Sequence, residues 1–334
     1  MPVNANISQE SQELTAPLVK LYAKHAGFDL CGITTPEIIP HAQARLSEWL
    51  ANGYHGEMSY MARNVERRAN PSLSLTDAKS VIVLALNYFS PDSPLPANHH
   101  GRIAKYARGR DYHLVMDKSM RRMVRAMVAD FPALHPRRDF KCMVDHGPLL
   151  ERAYAEKAGL GYIGKNSMLI TREFGSWVLL ATIITTAILE PDIPNARRHG
   201  KCGTCRRCID ACPTRAIVAD GVIDATRCIS YLTIEKRGEI DPSLAADMGD
   251  RVFGCDICQD VCPHNGRAAY TSHDEFKPVS GVGEFLDIVR MATLEDETEF
   301  RALASGTPLT RPKLSGLRRN AEIVLSNLSK GKSP

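Results

Sequence analysis

Eight of the ten cysteines in this chain lie between residues 202 and 262, and their spacing is specific enough to carry chemistry. C-G-T-C-R-R-C-I-D-A-C-P, residues 202–213, places four cysteines two, two and three residues apart and ends on a proline. C-D-I-C-Q-D-V-C-P, residues 255–263, repeats the last three, and Val252 stands where the first would be. Two C-x2-C pairs could each serve zinc. The full run instead matches the bacterial ferredoxin arrangement, in which three cysteines hold one 4Fe–4S cubane and the fourth crosses to its neighbour. That rule gives one cluster Cys202, Cys205, Cys208 and Cys262, and a second cluster Cys212, Cys255 and Cys258, one thiolate short. Cys228 is the remaining cysteine between the runs. Asp224 or Thr226 can cap a helix there, which puts Cys228 in its first turn, where a thiolate is electrostatically favoured. Eight cysteines then divide four and four.

Two interleaved cubanes form an electron wire, and a wire needs an acceptor. The segment in front lacks the dinucleotide fingerprint: its glycine run, G-L-G-Y-I-G at 159–164, follows a helix and not a strand, which argues against a nicotinamide cofactor. Cys31 and Cys142 stand alone in apolar surroundings and are expected as buried thiols.

The elements that must position this chemistry are legible from periodicity. Leu14 to Ala26 has helical spacing and stops at Gly27, before a short strand at L-C-G-I. Ser80–Tyr88 and residues 175–186 are β-branched runs suited to buried strands. Asp111 is placed to cap a long helix ending near Phe131. A strand at Lys141–Val144 follows, then His146-Gly147-Pro148, with Pro148 set to start a helix that ends near Gly159. The alternation predicts an α/β (α+β) domain over residues 1–190. E-P-D-I-P-N at 190–195 has linker composition. A ferredoxin-like domain with two 4Fe–4S clusters is predicted over 191–270, and a short helical, HEAT-like basic tail over 271–334.

A chain of 334 residues with 44% apolar content can bury more than one core, and its net charge is only +4. The charge is unevenly spread: Arg102 to Arg138 holds ten Lys/Arg against three Asp/Glu, and Ser305 to Pro334 six against one. No run of about 18 apolar residues suggests a membrane helix, and M-P-V-N-A-N-I-S-Q-E lacks the features of a secretion signal. The expected compartment is the cytoplasm, where thiols stay reduced and clustered cysteines bind metal.

Taken in order, V-D-H-G-P-L-L-E-R at 144–152, G-L-G-Y-I-G-K-N-S-M-L-I at 159–170, C-P-T-R-A-I, C-I-S-Y-L-T-I-E and G-C-D-I-C-Q-D-V-C-P-H-N resemble the epoxyqueuosine reductases, from about residue 14 to the basic tail. The resemblance implies a cobalamin-dependent oxidoreductase with two 4Fe–4S clusters that reduces epoxyqueuosine to queuosine in the tRNA anticodon loop, the last step of making that base. Electrons would come from an external low-potential donor of flavodoxin or ferredoxin type. The resemblance places the proton donor on Asp145, whose bland alternative is to cap the following helix. The flanking Met143, Val144 and Leu149 suggest an apolar pocket that would hold its proton more tightly than water does. Arg68, Asp145, Asn166 and Ile170 match positions along the corrinoid. Ala104 and Lys105 depart from relatives that carry cysteine or arginine there.

With tRNA as the implied partner, Arg102, Lys105, Arg108 and Arg110, interleaved with Tyr106 and Tyr112, have the composition of an RNA-binding face, and Arg311, Lys313, Arg318 and Arg319 form a second basic group. The expected state is a monomer. Competing readings are another corrinoid iron–sulfur reductase, of reductive dehalogenase type, and a non-enzymatic electron-transfer protein.

Overall fold

The computed structural model describes residues 13–96, 99–193 and 200–331. The stretch read for a secretion signal and the end of the linker, residues 194 and 195, lie outside the described residues. Among the described residues no helix is long and apolar enough to cross a membrane.

The front of the chain is built on a four-stranded sheet. Leu30–Thr34 (β1), Ser80–Asn87 (β2), Phe140–Met143 (β4) and Val178–Thr185 (β7) lie in the order β1-β2-β7-β4 with every neighbour antiparallel, so the α+β form of the predicted class is the one adopted. All eight residues of β2 are buried because both faces of the sheet are covered. Ile82, Leu84 and Leu86 point into a core shared with the helices Ala16–His25 and Tyr112–Asp130, while Val81, Val83 and Ala85 meet Tyr154 and Ala155 of the helix Glu151–Lys157. Burial on two sides explains why these strands show no polar alternation.

The second sheet ties the predicted segments together. His100–Ile103 (β3) sits between Arg251–Phe253 (β10) and Phe285–Asp287 (β11), so a strand of the front segment pairs with one from the cysteine region and one from the tail. Val252, at the missing-cysteine position, is fully buried there with Ile103, Leu286, Ile288 and the Leu314, Leu317, Ala321 and Val324 face of the helix Lys313–Ser329. A cysteine ligand cannot face a cluster from inside that core. Gly101 is where the strands press closest: a methyl group on it would stand 2.7 Å from Cβ of Val252 and 2.8 Å from Ile288.

The short pairs Tyr162–Ile163 (β5) with Leu169–Ile170 (β6), and Ile217–Ala219 (β8) with Val222–Ile223 (β9), are hairpins flanking the cysteine region. Front-segment loops hold that region in place: Trp49 Nε1 donates to the Ile223 carbonyl at 2.7 Å, and the Tyr231 hydroxyl accepts from the Glu57 N–H at 2.8 Å.

Candidate active site

The cysteines fall into two groups by position. Cys202, Cys205, Cys208 and Cys262 line one small cavity, partly open to solvent, together with Lys165, Asn166, Ile170 and Arg207. Its wall offers donors to sulfur: the Lys165 N–H lies 3.5 Å from Cys202 Sγ, and the buried Tyr162 hydroxyl is turned to the same sulfur. Cys212, Cys228, Cys255 and Cys258 form the other group. Burial raises the thiols of Cys228, Cys255 and Cys258, Cys255 to about 12, and charge on the neighbouring sulfurs adds to it. The Ala216 N–H donates to Cys212 Sγ at 3.3 Å.

Cys228 is itself the N-cap of the helix Ile229–Ile234, rather than a first-turn residue, and Asp224 caps the preceding turn by accepting from the Thr226 N–H. The Ser230 and Tyr231 N–H groups work against the effect of burial on the Cys228 thiol. The short helix Ile257–Asp260, between Cys255 and Cys262, is bolted to the front sheet: Ser176 Oγ donates to Gln259 at 2.9 Å, and Asn265 accepts from the Ser176 N–H at 2.7 Å.

Asp145 lies at the C-terminal end of β4 with a left-handed backbone, φ +46°. Such a conformation in a residue with a side chain costs of order 1 kcal/mol or more and persists where neighbours impose it. Here Glu151 imposes it, since its two carboxylate oxygens accept the Asp145 N–H at 3.1 and 3.2 Å. The expected capping is therefore reversed, and the helix begins at Glu151 instead of near Pro148. The Asp145 side chain is left free of the helix. It accepts from the Tyr112 hydroxyl at 2.5 Å, and His113 Nε2 stands 3.6 Å away. The rest of the side chain, 65% of it, is open to solvent.

The electrostatics correct one expectation. Burial acts to raise the Asp145 carboxyl, but hydrogen bonding from His113 and Tyr112 and the charges of His113 and Arg152 outweigh it, so the carboxyl lies below its ordinary value. No apolar pocket holds its proton. Glu151 is the group pushed well above the carboxylate range, by burial and by the charge of Asp145. His113 is disfavoured as a cation by burial, but Asp111 and Asp145 together raise it to about 9. Neighbouring groups with pKa values driven apart mark acid–base machinery.

Arg68 is buried beside this site. Its Nη2 donates to the Tyr60 carbonyl at 3.0 Å, its Nε has no partner, and its surroundings include the charges of Asp145 and Glu151. Asn166 and Ile170 are buried under the cavity of the first cysteine group, and the Asn166 amide donates to the Cys258 carbonyl at 3.3 Å, joining the two groups.

The first basic segment is only partly a surface. Lys105 is 2% exposed and binds Asp92 at 2.7 Å and Asp260 at 2.8 Å, with its ammonium 4.9 Å from the Trp177 ring. Arg108 is fully buried between Asp92 and Glu284. Both are therefore withdrawn from the RNA face. Tyr112 is turned to Asp145, and Tyr106 packs between Tyr112 and Phe253, so neither ring is a free stacking platform. Arg102 is half-buried against Asp250 and Phe285. Arg110 and Lys313 are exposed, Arg311 is paired with Glu235, and Arg318 is half-buried. Arg319 donates to the carbonyls of Leu232, Lys236 and Gly238. Cys31 and Cys142 lie in β1 and β4, and burial pushes each thiol up to about 12, as expected of inert thiols.

Residues 201–265 match the 4Fe-4S double cluster binding domain, so the class is that of oxidoreductases with two iron–sulfur clusters. Residues 68–146 match the family described as epoxyqueuosine reductase QueG, DUF1730. The epoxyqueuosine reductase of Leadbetterella byssophila is 39% identical over 92% of this chain and 97% of its own length, and that of Synechocystis sp. is 42% identical over 85% and 95%. The solved epoxyqueuosine reductase of Streptococcus thermophilus superposes with a TM-score of 0.82 at 31% identity, over 93% of this chain and 81% of that one. An epoxyqueuosine reductase solved with an epoxyqueuosine-modified tRNA-Tyr stem loop superposes with a TM-score of 0.81 at 32% identity, over 93% and 80%. The chain belongs to the epoxyqueuosine reductase family.

Proposed function

We propose that this protein reduces epoxyqueuosine to queuosine in the anticodon loop of tRNA, in the cytoplasm and as a monomer. The observation that carries the reading is Asp145, fixed in a left-handed conformation with Tyr112 and His113 at its solvent-open carboxylate, in a chain whose clustered cysteines fall into two groups of four. Cys202, Cys205, Cys208 and Cys262 hold one 4Fe–4S cluster, and Cys212, Cys228, Cys255 and Cys258 the other. Backbone donors aimed at Cys202 and Cys212, and the Tyr162 hydroxyl turned to Cys202, suit cluster sulfur. The clusters supply electrons, taken from an external low-potential donor of flavodoxin or ferredoxin type.

Cobalamin fits this site on one ground: Arg68 is buried near Asp145 with Nε unpaired, as suits a polar corrinoid edge. Arg68, Asp145, Asn166 and Ile170 would hold it, and when bound it supplies low-valent cobalt for carbon–oxygen cleavage. The chain's own part is proton delivery. Opening an epoxide leaves an alkoxide, and loss of its oxygen as water needs acid again; the solvent-open Asp145 carboxyl serves both. Arg110, Arg311, Lys313 and Arg318 are the basic side chains left to meet RNA phosphates.

The direct test incubates anaerobically reconstituted, reduced protein and cobalamin with tRNA bearing epoxyqueuosine and follows loss of one oxygen in the released nucleoside. Conversion is expected, and intact epoxide with fully loaded protein would overturn the reading. Asp145→Asn is expected to keep both clusters and corrinoid binding while turnover falls about a thousandfold.

A further inference from the structure

Asp145 cannot be the resting store of the proton it delivers. Its carboxylate accepts from Tyr112 at 2.5 Å and faces the His113 ring at 3.6 Å, an arrangement that suits an anion. The proton has to wait on a neighbour. Tyr112 is held as the neutral phenol by burial and by Asp145. Glu151 turns both oxygens to the Asp145 backbone N–H, not to its carboxylate. Arg152 does not release protons under ordinary conditions.

His113 differs from all three. Its Nδ1 lies 2.8 Å from Asp111 Oδ1 and its Nε2 faces Asp145, so each ring nitrogen looks at a carboxylate. Only a doubly protonated imidazole donates to both. The ring is fixed from below, because Asp111 Oδ1 also accepts the His113 N–H at 3.0 Å as the cap of the Tyr112–Asp130 helix, and Tyr112 stacks on the ring at 4.0 Å. One edge stays in contact with solvent: the side chain is 32% exposed, and the exposed His146 ring lies 5.5 Å away. The charged groups around it are Asp111 on its own helix, Asp145 and His146 on the facing loop, and Glu151 and Arg152 on the next helix.

We propose that His113 is the proton carrier that recharges Asp145, passing the proton on Nε2 to the Asp145 carboxylate and taking a replacement from solvent on the His146 side. The inference rests on the epoxide-reducing function proposed above. Deoxygenation of an epoxide to an alkene consumes two electrons and two protons and releases one water. The electrons come from the low-potential protein donor by way of the clusters. The first proton goes to the ring oxygen as one C–O bond opens, and the second leaves with that oxygen as water when the other breaks. A single carboxyl delivers one proton, so Asp145 must be recharged within each turnover, and His113 is the positioned cation that does it.

Two substitutions test this in the loaded enzyme. His113→Gln keeps a polar side chain without a titrating proton, and Asp111→Asn keeps the helix cap but removes one carboxylate from the imidazole. For His113→Gln, single-turnover conversion at pH 7 is expected to fall about a hundredfold, with cluster content and corrinoid binding unchanged and partial rescue by added imidazole. For Asp111→Asn, the alkaline limb of the rate, expected where His113 loses its proton, near pH 9 in the unmodified protein, should move down by about one to three pH units. The sign follows from the charge: the rate is present while His113 is protonated and is lost as pH rises through its pKa. A His113→Gln rate within threefold of the unmodified protein, or an alkaline limb unmoved in Asp111→Asn, would overturn the proposal. Titration of His113 by ¹⁵N-imidazole NMR in the oxidised protein decides independently of activity. A transition near 9 that drops in Asp111→Asn supports the carrier even if the epoxide is left intact, and one below 7 overturns it even if the epoxide is consumed.

Discussion

The two groups of cysteines come from one sequence motif used twice, yet they sit in different surroundings. Cys202 and Cys205 flank Gly203 and Thr204 on an exposed loop, and their cavity opens to solvent. Cys228 and Cys255 are backed by an apolar cluster of their own, with Ile229, Tyr231, Leu232 and Met248. The difference follows from Val252. In the first run the leading cysteine opens a surface loop; in the second the same position is a buried residue of β10, and the cysteine that completes the group, Cys228, is a helix cap distant in sequence. A motif copy that gains a place in a β-sheet gives up its leading cysteine and lies further inside the protein.

Four experiments can break or sharpen this contrast. Cys228→Ala should have the largest effect, lowering iron from about eight to about four atoms per chain while the cluster on Cys202, Cys205, Cys208 and Cys262 keeps its spectrum. Loss of both clusters would mean that the two sites are not separable. Lys105→Met comes next, because it takes the cation from Asp256 and Asp260 around the helix that carries Cys258, while Asp92 keeps Arg108. Asp92 and Asp260 are each 38% exposed, so the penalty is kept to about 3 kcal/mol. It should appear as a thermal midpoint lower by about 4 °C, with the inner cluster bleaching first. Gly101→Ala forces β3 from Val252 and should cost about 2 kcal/mol by overpacking, again at the inner site. The smallest effect is expected away from both groups: Arg110→Ala and Lys313→Ala should leave cluster content unchanged. Each should weaken tRNA binding a few-fold and reduce the slope of log affinity against log salt by about 0.7 to 0.9.

The cysteine region was the most legible part of the chain, since ligand spacing within a few residues is a local property that sequence displays directly. The buried strands were legible too, although their antiparallel order was not, because alternation of elements does not record strand direction. Asp145 was found through resemblance, but its partners were missed: Tyr112 and His113 come from a helix start some thirty residues earlier in the chain, and only folding brings them to β4. A signal was present in D-Y-H at 111–113, where a cap, a phenol and an imidazole stand in a row. Lys105 and Arg108 were misread for the opposite reason. Their charges were visible, but the acids that absorb them, Asp92, Asp260 and Glu284, lie elsewhere in the sequence, and a count of local charge cannot tell an inward lysine from an outward one.

The placement of β3 between β10 and β11 has a consequence for how the protein is made. A ribosome releases residues 100–103 long before either neighbour is synthesised, so this strand waits unpaired while nearly the whole remaining chain emerges. Both cysteine runs are complete before β11 exists to close the sheet. The core around Val252 is therefore completed only when the tail arrives. Cutting the chain between its cysteine region and either end would part β3 from one of its neighbours, which makes the protein one assembly unit and not a string of portable modules.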